Sequence, residues 1–278
     1  MKIAILAAGT SNNFPLFIDK PKSLYHLNGK IQLQRVIEDA RQFAADEDII
    51  VVAGYKSEMI RRFMKRYPKI TVKVNKDYRG PAVMSLRTAV EGENDDMVFM
   101  LADESISRKN VGRICRSDKK MAIMCHDTYY YYSLGIMKLR KDVLHIINDK
   151  RYLSMEAMKK IYCFANNKSR YDGNFTLESG ICLGYLTIDL VRRIGKIRKI
   201  ENPVLTYKGN DIDFLWFDPE KEYIPDLDSF SDTDEYRSSK CMRFYFDHIS
   251  YNIRRFNRKL KKIGKKAASC LRTHKELK

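Results

Sequence analysis

Four short apolar runs alternate with amphipathic stretches over the first hundred residues, and this alternation limits the fold more tightly than any other feature. The runs lie near residues 2–8, 48–53, 70–74 and 97–102, and the stretches with helical spacing lie near 31–44, 56–66 and 82–91. A strand covered on both faces reads as a near-continuous apolar run, whereas a helix packed on one side repeats its apolar residues every three or four positions. Strand and helix in strict alternation predict βαβ units, hence a largely parallel sheet flanked by helices. With 278 residues and 44% hydrophobic content, the chain can bury one large α/β domain and carry an appendage. The expected division is an α/β domain over 1–239 and a helical tail over 240–278.

The first run, M-K-I-A-I-L-A-A-G, ends in Ala7, Ala8 and Gly9, and the polar turn Thr10–Asn13 follows. In an open α/β sheet, ligands bind at the carboxyl edge of the strands. A glycine there lets a ligand approach the backbone closely, and Lys22, in Pro21-Lys22-Ser23-Leu24, can present a point charge to a phosphate. Taken alone, the same residues fit an ordinary first strand followed by a solvated lysine. The run Val98–Ala102 ends in Asp103. An aspartate after five apolar residues must be exposed or paired with a cation. It reads either as a metal ligand or as a turn or helix-capping residue, with Glu104 a weaker candidate. After Asp103 the pattern is less regular. Strands are expected at Met121–Cys125 and Tyr129–Met137, helical spacing at Ser154–Phe164, and a strand and helix over Glu178–Gly184 and 187–195. An acidic, turn-rich segment at Glu220–Tyr236 is expected near the active cleft.

Several segments, in order, resemble the nucleotidyltransferases that activate sugar 1-phosphates and phosphocholine. They are L-A-A-G at 6–9, P-K-S-L at 21–24, Asn28-Gly29-Lys30 before the apolar-periodic helix (Ile31, Leu33, Val36, Ile37), and Ile49–Tyr55 with its G-Y turn. Asn75–Tyr78 followed by Ser85-Leu86, and the strand ending in Asp103, complete the series. The resemblance covers residues 1–106 well and 107–236 loosely, and it omits the tail. It implies a Rossmann-like α/β fold with a mixed, mostly parallel sheet. It also implies transfer of a nucleotidyl group from an NTP, CTP over UTP, to a small phosphomonoester, with a product destined for a surface polymer or lipid.

Such a reaction clamps a triphosphate, neutralises its charge and aligns an acceptor phosphate for in-line attack. The resemblance assigns Leu6, Ala7, Ala8, Gly9 and Thr10 to the nucleotide, Lys22 to its phosphates, and Gly80, Pro81, Ala82 and Ser85 to the opposite wall. It gives Asp103 and Asp228, the latter in D-S-F-S-D, to Mg²⁺. Tyr129, Tyr131 and Glu178 fall on the acceptor side. Aromatic faces suit a quaternary ammonium group, though four successive tyrosines at 129–132 also describe a half-buried strand. The family's first loop carries G-x-G-x-R, whereas this chain has Gly9-Thr-Ser-Asn-Asn13, with no second glycine and no arginine. Weak NTP binding is therefore expected, with Lys20 or Arg79 as candidate substitutes. Two other classes remain open: a non-catalytic relative acting at a membrane or partner surface, and a glycosyltransferase of related fold. The second would want an Asp-x-Asp motif, which A-D-E-S at 102–105 does not provide.

The net charge is +17, of which residues 240–278 supply +11 through 13 Lys/Arg against two Asp/Glu. Basic character concentrated in a tail does not describe a uniformly basic nucleic-acid-binding domain. In that tail Met242, Phe246, Ile249, Ile253, Phe256, Leu260 and Ile263 recur at alternating spacings of four and three. The pattern predicts a basic amphipathic helix that lies on an anionic membrane surface, binds a partner, or packs on its own domain or on a second copy in a homodimer. The six cysteines are scattered with no C-x-x-C pair, which argues against a zinc site. Without a signal peptide or membrane-spanning run, a cytoplasmic protein is expected, peripheral at the inner face of the membrane if the tail binds lipid.

Overall fold

The computed structural model describes residues 1–10, 20–80, 83–104, 106–126, 133–148, 212–217 and 233–234. In chain order the strands are β1 (Lys2–Ala7), β2 (His26–Leu27), β3 (Lys30–Ile31), β4 (Ile49–Ala53), β5 (Thr71–Val74), β6 (Met97–Leu101), β7 (Met121–His126), β8 (Ser133–Leu139) and β9 (Ile212–Phe217). The α-helices are α1 (Gln32–Ala40), α2 (Ser57–Met64), α3 (Val83–Val90) and α4 (Arg108–Arg116), and single 3₁₀ segments occupy Lys22–Leu24, Asp46–Asp48 and Lys141–Asn148. All four strands and three helices expected in the first hundred residues are present.

Among the described residues seven strands form one sheet in the order β5-β4-β1-β6-β8-β7-β9. The β1–β4, β1–β6, β4–β5 and β7–β9 pairs are parallel, while β8 runs antiparallel to both β6 and β7. This is the mixed, mostly parallel Rossmann-like sheet expected. The chain leaves β1 toward β4 and β5, then returns to place β6 on the other side of β1. The order therefore reverses between β1 and β6, and a crevice opens outside the carboxyl ends of strands at such a switch point.

Alternation along each strand divides the core into two layers. Ile3, Ile5, Ala7, Val51, Val98 and Met100 face Leu33, Val36 and Ile37 of α1, Ile60 and Met64 of α2, and Val111 and Ile114 of α4. Ala4, Leu6, Ala8, Ile50, Val52 and Phe99 face Leu86, Ala89 and Val90 of α3 and Val143, Leu144 and Ile147 of the last 3₁₀ segment. Both faces of β1 are thus covered, which is why its sequence reads as a run rather than an alternation.

Beside the 3₁₀ segments, three features of the fold went unforeseen. Helix α4 has few apolar residues, and its start is set by Ser107, whose hydroxyl accepts a bond from the Asn110 amide at 3.4 Å. The buried Lys138 ammonium donates to the carbonyls of Cys115 and Ser117 at 2.9 and 2.8 Å, placing a cation at the C-terminal end of that helix. Strand β9 pairs with β7 from nearly ninety residues downstream, a pairing that no local pattern signals. The third is the β2–β3 hairpin, His26↔Ile31 and Leu27↔Lys30, closed by Asn28 and Gly29 at φ 52° and 79°. Two successive left-handed residues form the turn whose twist suits a two-residue hairpin. The segments expected at Tyr129–Tyr132, Ser154–Phe164, Glu178–Gly184, 187–195 and the tail at 240–278 lie outside the described residues.

Candidate active site at the carboxyl edge of the sheet

The register of the central strands brings the sequence candidates to one edge. Leu6 of β1 pairs with Leu101 of β6, and the Ala102 amide donates to the Leu6 carbonyl at 3.1 Å. Ala8, Gly9 and Thr10 leave β1 at this edge, beside Asp103 and Glu104 leaving β6. Lys22, at the start of the 3₁₀ segment after the first loop, reaches across so that its ammonium pairs with the Asp103 carboxylate. Both side chains are partly buried, 21% and 16% exposed. Lys22, read as a phosphate ligand, and Asp103, read as a metal ligand or a turn residue, therefore meet in space although 81 positions separate them. The 3₁₀ turn that carries Lys22 is closed by the Leu24 and Tyr25 amides, which donate to the Pro21 and Lys22 carbonyls at 3.0 and 3.1 Å. It is anchored below by buried Ser23 and Leu24.

The β4 side of the edge is packed closely. The Tyr55 amide donates to the Ala8 carbonyl at 3.1 Å. A Cβ placed on Gly54 would stand 2.6 Å from the Tyr78 Cβ and 2.7 Å from the Ala8 Cβ. The rings of Tyr55 and Tyr78 pack at 6.3 Å with an angle of 53° between them. Gly9 differs: among the described residues nothing lies within 4 Å of the place its Cβ would take. The glycine of the G-Y turn serves packing, whereas Gly9, at the strand end, meets no described residue there.

Asn75 and Ser85 hold this wall together from inside. The buried Asn75 side chain donates to the Ser85 hydroxyl at 3.1 Å and accepts from the Asp77 amide at 2.9 Å. This fixes the turn 75–80 to α3, with the Gly80 amide donating to Asp77 at 2.8 Å. The Ser85 hydroxyl is thus engaged with Asn75 inside the fold, and Gly80 stands exposed at the end of that turn. Of the candidate substitutes for the missing loop arginine, Lys20 lies over the Tyr25 ring at 4.2 Å and Arg79 lies near the Tyr78 ring at 5.8 Å. Pro81, Ala82, Tyr129, Tyr131, Glu178 and Asp228 fall outside the described residues, and among the described residues no three His, Cys, Asp or Glu side chains converge on a metal position.

One late residue does reach the front of the domain. The Asp234 carboxylate accepts from the Asn28 amide at 3.1 Å and from the Gly29 amide at 2.6 Å, across more than two hundred residues of sequence.

The sequence profile of the MobA-like NTP transferase domain matches residues 3–150, more than half of the chain, from the second residue of β1 through the last 3₁₀ segment. The chain belongs to this family. Among curated proteins it is similar to a UTP–glucose-1-phosphate uridylyltransferase of Haloferax volcanii, 30% identical over 124 residues, covering 43% of this chain and 50% of that protein. It is also similar to the bifunctional protein GlmU of Acaryochloris marina, 27% identical over 108 residues, covering 38% of this chain and 23% of that one. The chain thus spans half or less of the length of these relatives. In fold it is similar to a Bacillus anthracis protein provisionally described as a glucose-1-phosphate thymidylyltransferase, with a TM-score of 0.54 and 13% identity over 83% of this chain and 91% of that one. Among the described residues no helix is long and apolar enough to cross a membrane.

Proposed function

We propose that this chain transfers a nucleotidyl group from a pyrimidine NTP to a small phosphomonoester, releasing pyrophosphate. The observation that carries this reading is the Lys22–Asp103 pair at the β1/β6 switch point, in a chain of the NTP transferase family. An acceptor phosphate oxygen would attack the α-phosphorus. A new P–O bond forms, the α–β anhydride bond breaks, and the electron pair leaves with pyrophosphate. Such chemistry depends on alignment and charge neutralisation more than on proton transfer. Each member of the pair can exchange its partner for an ion of opposite charge: Lys22 for a phosphate oxygen, Asp103 for a cation. The room that the described residues leave at Gly9 suits a nucleoside lying against the strand end, with the Tyr55–Tyr78 wall on the β4 side.

Mg²⁺ is the cation that suits this setting, because it is held by one or two carboxylates together with substrate phosphates rather than by an all-protein cage. Asp103, with Asp228 as its proposed second carboxylate, would hold it, and it would offset repulsion between the two anionic reactants. CTP with a phosphocholine-like acceptor is our preferred pairing, on the overall likeness of the motifs. The uridylyltransferase among the relatives supports UTP with a sugar 1-phosphate as the competing one. Surface-polymer or lipid precursors are the proposed products. The experiment is a pyrophosphate-release screen of CTP and UTP against phosphocholine and sugar 1-phosphates in the presence of Mg²⁺. Release that depends on one acceptor supports transfer, release from NTP alone shows hydrolysis in place of transfer, and no release argues for a non-catalytic relative.

A further inference from the structure

In a two-residue hairpin the amides of both loop residues have no partner in the strand ladder, so they must be met from outside or left to water. Here the Asn28 and Gly29 amides converge on the one Asp234 carboxylate, at 3.1 and 2.6 Å. The hairpin they close is not an isolated surface loop. Its base is joined by the Gln32 amide donating to the Tyr25 carbonyl at 3.0 Å, and the Arg35 guanidinium on α1 donates to the Leu27 carbonyl at 2.6 Å. Tyr25, at that base, is also the residue whose amide donates to the Lys22 carbonyl at 3.1 Å and closes the turn bearing Lys22. A continuous chain of hydrogen bonds and peptide units therefore runs from Asp234, through the hairpin, to the turn that aims Lys22 at Asp103.

We propose that Asp234 is a positioning residue. It touches no reacting atom, and it fixes the hairpin so that the Lys22 turn keeps its geometry at the carboxyl edge. Thr233, next to it, is fully buried, which gives the carboxylate a rigid base. Asp234 thereby sets the phosphate-binding lysine through the front hairpin. The consequence for turnover rests on the proposed nucleotidyl transfer, whereas the structural link to Lys22 does not.

The test uses the full chain with Asp234→Ala and Asp234→Asn, read by amide hydrogen exchange and by kinetics. In Asp234→Ala, exchange at Asn28 and Gly29 should speed up about fivefold or more, since charge-assisted bonds to both amides are lost. Exchange at Leu24 and Tyr25 should rise with it, while exchange in β4 and β6 stays unchanged. The KM for NTP should rise several-fold with little change in kcat. Asp234→Asn, which keeps one acceptor oxygen, should recover part of each effect. Faster exchange at 28 and 29 with no change at 24 and 25 in both variants would overturn the proposal, as would unchanged exchange throughout. If the wild-type chain neither binds nor turns over NTP, the proposed reaction fails. The exchange at Leu24 and Tyr25 still decides whether Asp234 positions the Lys22 turn.

Discussion

Replacing Gly54 by Ala tests how the carboxyl edge is built. The added Cβ would lie 2.6 Å from the Tyr78 Cβ, 2.7 Å from the Ala8 Cβ and 2.8 Å from the Ala8 carbonyl oxygen, all below the 3.0 Å that real Cβ atoms respect. Each of these atoms sits at or next to the main chain, so no rotamer change can relieve the contact. The ends of β1 and β4 must separate, stretching the bond from the Tyr55 amide to the Ala8 carbonyl. Overpacking of this kind costs about 1–3 kcal/mol, and the rigidity of all three neighbours puts Gly54→Ala near the upper figure. For a domain of this size that is a fall in Tm of roughly 5–10 °C. Adding Ala8→Gly removes one of the three contacts, so the double variant should recover part of the loss, a coupling that a double-mutant cycle measures. Gly9→Ala is the control. With no described residue within 4 Å, it should change stability by less than about 0.5 kcal/mol, yet weaken NTP binding by crowding the strand end. Denaturant unfolding and calorimetry with CTP and UTP give both readouts. A Gly54→Ala protein as stable as wild type would refute the packing argument, and a Gly9→Ala protein with unchanged affinity would show that no nucleotide lies against Gly9.

Three further outcomes are expected. Lys22→Ala should weaken NTP binding by about ten- to hundredfold, the worth of one charge-assisted phosphate contact, and calorimetry showing undiminished binding would assign the triphosphate to other groups. Burial pushes the Asp39 carboxyl from its ordinary 3.8 to about 6, against the attraction of Arg35. A raised value means that its protonated form stabilises the fold, fully below about pH 4 and progressively less as pH rises through 6. Asp39→Asn should therefore stabilise the protein at pH 7–8 by roughly 1 kcal/mol, after allowance for the carboxyl's partial exposure. That gain should fade below pH 4 in denaturant titrations, and a gain independent of pH would remove burial as its cause. Truncation near Arg243 should abolish binding to anionic vesicles and leave NTP binding intact, each lysine near such a surface contributing about 1 kcal/mol. Unfolding or dissociation on truncation, with no vesicle binding by the full chain, would make the tail a structural element.

The parts of the fold that were legible share one physical property. Strands β1, β4 and β6 and helices α1 to α3 bury continuous or periodic apolar residues, and half-buried β5 sets Val72 against the core, so period and turn signals mark them. Helix α4 escaped notice because Val111, Ile114 and Cys115 are its whole apolar complement, and Gly112, within 3.3 Å of the Phe43 ring were it to carry a Cβ, sits where a larger side chain would have declared the face. The Asp103 candidate could be read from its position at a strand end and Lys22 from the P-K-S-L segment after the first loop. Their pairing could be read only through the order of the strands. Asp234 gave no signal beyond membership in an acidic cluster, since its partners are backbone amides more than two hundred residues away. Ser85, placed by resemblance on the nucleotide wall, accepts a hydrogen bond from Asn75, a partner ten residues away that no local pattern signals.

The central claim is that the Lys22–Asp103 edge performs nucleotidyl transfer. The most direct measurement is Mg²⁺- and acceptor-dependent pyrophosphate release by the wild-type chain beside Asp103→Ala, each with CTP or UTP and the acceptor that the screen selects. The account predicts release by the wild type only when NTP and acceptor are both present, and a loss of two or more orders of magnitude in Asp103→Ala, since removing metal-based charge stabilisation costs several kcal/mol, with thermal unfolding unchanged. Pyrophosphate release at the wild-type rate by Asp103→Ala, or no acceptor-dependent release by the wild type, would contradict it.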